Sequence, residues 1–200
     1  MTVDQFIVKW KKAELKERAA AQEHFLDLCR LLDHPTPAEA DATGATFCFE
    51  NGAAKHGGGD GFADVWKKGF FGWEYKGKRK DLDAAYDQLL RYKDALENPP
   101  LLLTCDLDRF VIRANFTYTA PATHAFRLDQ LTEPRNIESL RAVFFNPEAL
   151  KPGKTGQVIT QEATDKTGAI SVTTEAGERS IRHVKALARA AWKALDPEDV

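Results

Sequence analysis

The most constraining feature of this 200-residue sequence is a short apolar run, LLLTC at residues 101–105. Such a run is far too short to span a bilayer and is typical of a central strand covered on both faces. An amphipathic helix is predicted directly before it, from the N-cap residue Asp81 to about Glu97. The following segment, RFVIRANF (109–116), alternates and is predicted to lie beside the central strand.

Upstream, the pattern predicts a helix, a strand and a hairpin. Apolar residues recur at helical spacing over about residues 10–33, and Pro35 ends that helix. The segment ATFCFEN (45–51) alternates like a strand, and residues 61–66 and 70–76 indicate two strands joined by a turn at 67–69. This order of elements predicts an α/β fold with a mixed central sheet flanked by helices.

The character of the sequence changes after about residue 150. Pro152, Gly153 and Gly156 mark a linker-like segment, and residues 176–195 predict an amphipathic helix. We therefore divide the chain into one domain at 1–150 and a linker with a C-terminal amphipathic helix at 151–200.

Composition excludes several classes of protein. The N-terminus has no apolar segment typical of a secretion signal, which favours a cytoplasmic location. Cys29, Cys48 and Cys105 are odd in number and widely spaced, as expected of buried thiols rather than disulfides or zinc ligands.

A net charge of −2 does not by itself indicate a nucleic-acid-binding protein. Basic residues nevertheless crowd into one fourteen-residue stretch: Lys67, Lys68, Lys76, Lys78, Arg79 and Lys80. From charge alone, a solvated hairpin with a polar face is the favoured explanation of this stretch.

Three residues have the spacing D-x9-E-x-K: Asp64, Glu74 and Lys76. Phosphodiester hydrolysis needs a divalent cation, and magnesium prefers carboxylate oxygens, water and phosphate as ligands. Neighbouring strands of a hairpin can supply the two acids, and a lysine on the same face as Glu74 can serve the attacking water. Trp73 and Tyr75 are expected to face the core. A hairpin with paired charges and no catalysis is the alternative.

The helix that follows the hairpin contains a second motif, Gln88 and Tyr92 in a Q-x3-Y spacing. Residues i and i+4 share a helix face, so both could contact one phosphate or nucleotide. Together with Lys78 and Lys80, they form the predicted substrate-binding set. Tyr92 could equally be part of the apolar stripe of the helix.

The run from GGGDGFADVWKKGFFGWEYKGKRKDL to NPPLLLTCDLDRF resembles the N-terminal nuclease region of single-chain type IIL restriction–modification enzymes. The resemblance extends over about residues 5–153. In those enzymes a PD-(D/E)xK endonuclease is fused to a helical spacer, an adenine methyltransferase and a target-recognition domain. The resemblance therefore implies a restriction-endonuclease-like core and the hydrolysis of DNA to 5′-phosphate and 3′-hydroxyl ends.

By this resemblance Asp64 and Glu74 hold Mg²⁺, for which Mn²⁺ can substitute, and Lys76 serves the attacking water. Tyr75 completes the predicted metal site. Related nucleases add an acid from the first helix, for which Glu17 is the candidate and Glu23 the next. The spacing of Gln88 and Tyr92 is similar to a helix motif of RecB-like nucleases.

The predicted partners are double-stranded DNA, methyltransferase and target-recognition domains that this chain does not contain, and a second copy for double-strand cleavage. No membrane partner is expected. The resulting hypothesis is a nuclease domain of a restriction–modification or phage-defence system. The alternative is a catalytically silent nuclease fold that binds DNA or a protein.

Overall fold

The structure is a computed structural model that describes residues 1–13, 17–52 and 62–153. For residues 17–19, 51, 52 and 62 it describes the backbone alone. The residues Met1–Gly153 form one compact unit. The predicted C-terminal helix at 176–195 lies outside the described residues.

A six-stranded mixed sheet forms the centre of this unit, and its strands are adjacent in chain order. The strands are β1 (Phe47–Gly52), β2 (Phe62–Lys67), β3 (Phe71–Tyr75), β4 (Leu101–Cys105), β5 (Arg109–Ala114) and β6 (Thr123–Arg127). Neighbouring strands are antiparallel except for β3 and β4, which are parallel. A parallel pair needs a crossover connection, which here contains a helix.

The described helices are α1 (Val3–Lys12), α2 (Glu17–Leu32), α3 (Pro37–Ala40), α4 (Leu82–Tyr92) and α5 (Pro134–Phe145). One face of the sheet packs against α1, α2 and α5 in a core rich in aromatic rings. The ring of Phe25 on α2 lies 5.5 Å from that of Trp73, and the ring of Phe144 on α5 lies 5.5 Å from that of Phe71. None of the helices in the described part of the chain is long and apolar enough to cross a membrane.

The opposite face of the sheet packs against α4 around a smaller apolar cluster that includes Trp66, Leu89 and Leu102. β4 is buried along its whole length because both faces are covered. The prediction of an α/β fold with a mixed central sheet flanked by helices is therefore confirmed.

The predicted helix at 10–33 is wrong in its N-terminal part. The chain forms α1, leaves the helical conformation at Ala13 (φ −67°, ψ 126°) and begins α2 at Glu17. The two helices pack together, since the ring of Trp10 lies 4.7 Å from that of the buried His24. Residues 10–20 are rich in helix-forming residues, so local propensity does not show the break that this packing requires.

Helix α4 begins after Asp81 as predicted but ends at Tyr92, earlier than Glu97. The chain continues in turns in which Glu97 and Asn98 have positive φ angles of 61° and 50°. The carbonyl of Leu96 accepts a hydrogen bond from the indole of Trp66, at 2.9 Å. A tertiary contact therefore holds the segment that leads into β4.

Replacement of Phe144 tests whether α5, which the sequence pattern did not predict, is part of the core. Phe144 is fully buried, and its ring is stacked 5.4 Å from Phe25. We expect Phe144→Ala to lower the free energy of unfolding by about 3–5 kcal/mol, measured by urea denaturation. The adjacent Phe145 is 47% exposed. Phe145→Ala should therefore cost less than about 1 kcal/mol, and equal losses in both variants would contradict this packing.

Candidate active site

The candidate site lies where β2 and β3 separate. The two strands are in register from Lys67↔Phe71 to Val65↔Trp73. Beyond this point the backbone amide of Tyr75 donates a hydrogen bond to Oδ2 of Asp64, at 2.6 Å. On the other side of β3, the amide of Lys76 donates to the carbonyl of Cys105 on β4, at 2.8 Å. β3 therefore stays hydrogen-bonded to β4, whereas on the β2 side the Asp64 carboxylate replaces the usual backbone acceptor.

Glu74 is a buried carboxylate at this opening, with 4% of its surface exposed. Its Oε1 accepts a hydrogen bond from Nζ of Lys76, at 2.7 Å. Its Oε2 has no hydrogen-bond partner among the described residues. The pKa of Glu74 is raised to about 7, mainly by burial and to a smaller extent by the nearby charge of Asp64. One carboxylate oxygen is therefore held out of water beside a second acid.

Lys76 connects this acid to helix α4. Its Nζ also donates to Oε1 of Gln88, at 3.1 Å. The helix is placed for this contact by Asp81, whose side chain caps the amides of Asp83 and Ala84 at 2.8 and 3.2 Å. Gln88, predicted to contact the substrate, thus has Lys76 as a direct partner.

Tyr92 is half-buried one helical turn after Gln88. The position of Tyr92 on α4 follows the i, i+4 spacing by which it was singled out. Its role in substrate binding stays a prediction.

Trp73 and Tyr75 face the aromatic core, as the alternation of the strand predicts. Their rings stack at 5.6 Å, and the Tyr75 hydroxyl lies 2.9 Å from Nδ1 of His24 on α2. This hydroxyl is on the opposite face of the sheet from Glu74. Only the main chain of Tyr75 therefore lies near the acids, which limits its predicted role as a metal ligand to its carbonyl oxygen.

His24 is a residue that sequence reasoning did not single out. It is completely buried, and burial lowers its pKa to about 3, so its ring is neutral at physiological pH. The scattered positions of the histidines in the sequence give no signal for such a contact.

The basic stretch of the sequence separates into two groups in space. Lys67 and Lys68 lie at the turn end of the hairpin, where Lys67 donates to the Phe144 carbonyl at 2.7 Å and Lys68 pairs with Glu97 at 2.9 Å. Residues 76–80 lie at the opposite end, beyond five-residue strand β3. Only this second group shares the end of the sheet that carries Asp64 and Glu74.

Lys78 and Lys80, the two lysines predicted to bind substrate, both have exposed side chains in this loop. The ammonium group of Lys78 donates to the carbonyl of Ala13 at the end of α1. The carbonyl of Lys80 accepts a hydrogen bond from the guanidinium of Arg109, at 2.7 Å. The loop is therefore held to α1 and to β5.

The candidates for an additional acid lie in different places. The side chain of Glu17 lies outside the described residues, whereas Glu23 pairs with Lys9 on α1 at 2.6 Å. The β1–β2 register runs through Phe49↔Val65 and Asn51↔Ala63, which places Glu50 opposite Asp64. Both acids line a small cleft with Gln22 of α2. Sequence reasoning missed Glu50, because only the strand register brings it to Asp64.

The donor set at this opening fits a hard divalent cation. Among the described residues, no group of three or more His, Cys, Asp or Glu side chains could hold a metal ion. Magnesium does not require three, since it is usually bound by one or two carboxylates together with water and phosphate oxygens. The uncommitted Oε2 of Glu74, buried beside Asp64, is an oxygen ligand of this kind.

A mixed α/β domain with a six-stranded mixed sheet flanked by helices is consistent with a nuclease-like fold. The sequence matches the family described as MmeI, N-terminal domain, over residues 1–189. The chain belongs to this family, and MmeI is a type IIL restriction–modification enzyme. The match confirms the resemblance to the type IIL nuclease region and is longer than the span on which that resemblance rested. No curated protein and no solved structure matches the chain.

Glu74→Gln should remove a pH dependence of stability. The raised pKa, about 7 against 4.5, means that the folded protein holds this proton more tightly than the unfolded chain. The resulting stabilisation is complete below pH 4.5 and is lost as the pH rises through about 7. When the pH rises from 5 to 8 in the absence of metal, the free energy of unfolding of wild type should therefore fall by about 2–3 kcal/mol more than that of Glu74→Gln.

The measurement is urea denaturation in EDTA at both pH values. Glu138→Gln, at an exposed position on α5, is the matched control and should behave like wild type. The same pH profile for wild type and Glu74→Gln would contradict the raised pKa.

Proposed function

We propose that this domain is a metal-dependent DNA endonuclease of a restriction–modification or phage-defence system. The observation that carries the proposal is the buried carboxylate of Glu74, with one oxygen uncommitted beside Asp64 and the other bound to Lys76. Strongly shifted acids that combine burial with a specific charged neighbour are typical of functional sites. Membership of the MmeI N-terminal domain family supports the same conclusion.

In this proposal Asp64 and Glu74 hold Mg²⁺ or Mn²⁺ through carboxylate oxygens, with the Tyr75 carbonyl as a further ligand. Such an ion, when bound, polarises the phosphate and lowers the pKa of a coordinated water. The side chain of Asp64 has a second role, because it also holds the amide of Tyr75 and so fixes the end of β3.

Lys76 places a positive charge at the same opening. Its ammonium group is 2.7 Å from Glu74 and 3.1 Å from Gln88, so two contacts orient it before substrate binds. From this position it can orient the attacking water and offset the negative charge that develops on the phosphate. Gln88 then acts on the reaction through Lys76.

The competing function is a silent nuclease fold that binds DNA or a protein without cutting. Electrostatics disfavours it as a DNA-binding role for this surface. Two carboxylates close to the phosphates of bound DNA repel them unless a cation lies between. The Asp64–Glu74 pair is therefore better explained by a metal-dependent reaction.

Membership of the family supports a proposal about the wider setting of this domain. MmeI is a restriction–modification enzyme. We propose that methyltransferase and target-recognition domains direct this domain to its double-stranded DNA, and that two copies meet to cut both strands. The three cysteines are free thiols, which supports the reducing cytoplasm as the location.

The proposed activity predicts metal-dependent nicking of supercoiled plasmid. With Mg²⁺ or Mn²⁺, wild type should nick, whereas Lys76→Ala and Asp64→Asn should lose about 100-fold or more of the rate. Asparagine keeps an oxygen that can accept the Tyr75 amide, so this variant removes the charge with little change in structure. Asp94→Asn and Lys93→Ala, on the turns after α4, are the matched controls and should keep the wild-type rate.

Two results would contradict the proposal. One is nicking by all variants at the same rate, which would place the activity elsewhere or in a contaminant. The other is absence of nicking together with absence of Mn²⁺ binding by calorimetry, which would favour the silent binding module.

Kinetic and binding measurements can distinguish orientation of Lys76 by Gln88 from direct contact between Gln88 and the substrate. If Gln88 orients Lys76, Gln88→Ala should lower the nicking rate about 10–100-fold and leave the dissociation constant for DNA nearly unchanged. Fluorescence anisotropy with a labelled duplex in Ca²⁺ measures binding without cleavage. Weaker binding with an unchanged rate at saturating DNA would instead support the direct contact predicted from the sequence.

A further inference from the structure

A second, strongly basic cavity opens at the same end of the sheet as the acids. It has a volume of about 410 Å³. Five basic residues line it: Lys11, Lys78, Arg79, Arg109 and Arg127. We call it the basic pocket.

The topology places the basic pocket beside Lys76. Arg79 follows Lys76 by three residues, and its amide donates to Oδ2 of Asp106 at 3.1 Å. Asp106 itself follows Cys105, the residue whose carbonyl accepts the amide of Lys76. Three residues of extended chain span at most about 10 Å. One DNA strand can therefore contact both Lys76 and the basic pocket.

The acids of the basic pocket are already committed. Asp106 is buried, and its carboxylate accepts hydrogen bonds from three backbone amides and from the Arg109 guanidinium at 2.7 and 2.9 Å. Asp108 pairs with Arg127 at 2.8 Å. Among the lining residues, two acids against five basic side chains leave a formal excess of three positive charges, which Asp129 beside Lys11 and Arg127 reduces to two.

Of these basic side chains, that of Arg79 has the fewest polar contacts. Its side chain is exposed, and its guanidinium forms no hydrogen bond or ion pair with the rest of the described chain. Lys11 lies 3.9 Å from Asp129 in a pair whose two side chains are about half exposed, so this pair contributes little. Both groups can turn to an anion without breaking a strong contact.

Two further features show that the surrounding structure imposes this arrangement. Arg79 and Leu107, in the two loops beside the basic pocket, have positive φ angles of 64° and 71°. Residues other than glycine adopt this conformation only where tertiary contacts hold it. Arg109 and Arg127 lie directly opposite each other on β5 and β6, an unfavourable placement of like charges. The ion pairs with Asp106 and Asp108 offset part of this repulsion, and a bound anion would offset it further.

We propose that the basic pocket binds a backbone phosphate of the DNA strand that runs past Lys76, an inference that rests on the proposed function. Guanidinium groups suit this ligand because they present paired donors to phosphate oxygens. The cavity is far larger than the roughly 30 Å³ that one water molecule occupies in the liquid, so it has room for a hydrated phosphodiester. The basic pocket would fix the strand while Lys76 and the acids act on a neighbouring phosphate.

The test is the salt dependence of DNA binding by the full chain. Anisotropy titrations with a labelled duplex in Ca²⁺, between 50 and 200 mM salt, give the slope of log affinity against log salt. Each lost phosphate contact should reduce the magnitude of this slope by about 0.9. Between the two salt concentrations, the affinity of wild type should therefore fall by a factor about 3.5 times larger than the affinity of Arg79→Gln or of Lys11→Gln. Arg135→Gln removes one exposed charge outside the basic pocket and should keep the wild-type slope.

Thermal melting of each variant separates loss of binding from loss of folding. If folded Arg79→Gln and Lys11→Gln keep the wild-type slope while wild type nicks plasmid, the basic pocket assignment is overturned and the nuclease proposal stands. If wild type neither binds nor nicks DNA, both proposals fall.

A titration with inorganic phosphate distinguishes a free anion from the DNA backbone as ligand. Phosphate that raises the melting temperature of wild type but not of Arg79→Gln, with unchanged DNA slopes, would identify a site for a free anion and overturn the DNA assignment. Reduced slopes in both pocket variants support it.

Discussion

The hydrogen bond from the Tyr75 amide to the Asp64 carboxylate is the contact on which the rest of the candidate site depends. A buried amide must find an acceptor, and a side chain meets this need where β2 and β3 leave their ladder register. β3 meanwhile keeps its parallel register with β4 as far as Tyr75↔Cys105. The sheet therefore opens on one side of β3 alone, and the opening leaves Asp64 beside Glu74.

This opening places the buried carboxylate of Glu74 next to the carboxylate of Asp64. Burial and Asp64 both disfavour the ionised form of Glu74, while Lys76 favours it, and the net result is a pKa raised to about 7. An apolar residue at this position would be more favourable for folding alone, since a buried acid costs free energy unless it is fully satisfied. Local conflicts of this kind are expected at functional sites. A cation and a phosphate would resolve the conflict by using the oxygen that the protein leaves unbonded.

The strand itself separates chemistry from packing. Trp73 and Tyr75 add to the aromatic core against α2, while Glu74 and Lys76 face α4, from which Gln88 reaches Lys76. Packing on one face thereby fixes the positions of Glu74 and Lys76 on the other. The same end of the sheet carries the loops after β3 and β4, which form the basic pocket together with residues of α1, β5 and β6.

Much of this architecture follows from local pattern. The period of two in residues 70–76 correctly separated the two faces of β3, Asp81 marked the start of α4, and the apolar run at 101–105 identified a strand covered on both faces. Each of these depends on near neighbours in the chain, where side-chain alternation and capping act directly. The break between α1 and α2, the edge strand β6 and helix α5 escaped prediction, because distant packing rather than local propensity specifies them.

The sequence by itself determined which residue types could perform the chemistry: two acids and a lysine at D-x9-E-x-K spacing, carried by a hairpin. Only the tertiary structure decided how they meet. Glu50 comes opposite Asp64 through strand register, Gln88 reaches Lys76 through the placement of α4, and the basic stretch divides between the two ends of β3. The physical reason is that spacing along the chain fixes side-chain direction within one element, whereas contacts between elements depend on how the whole sheet and its helices pack.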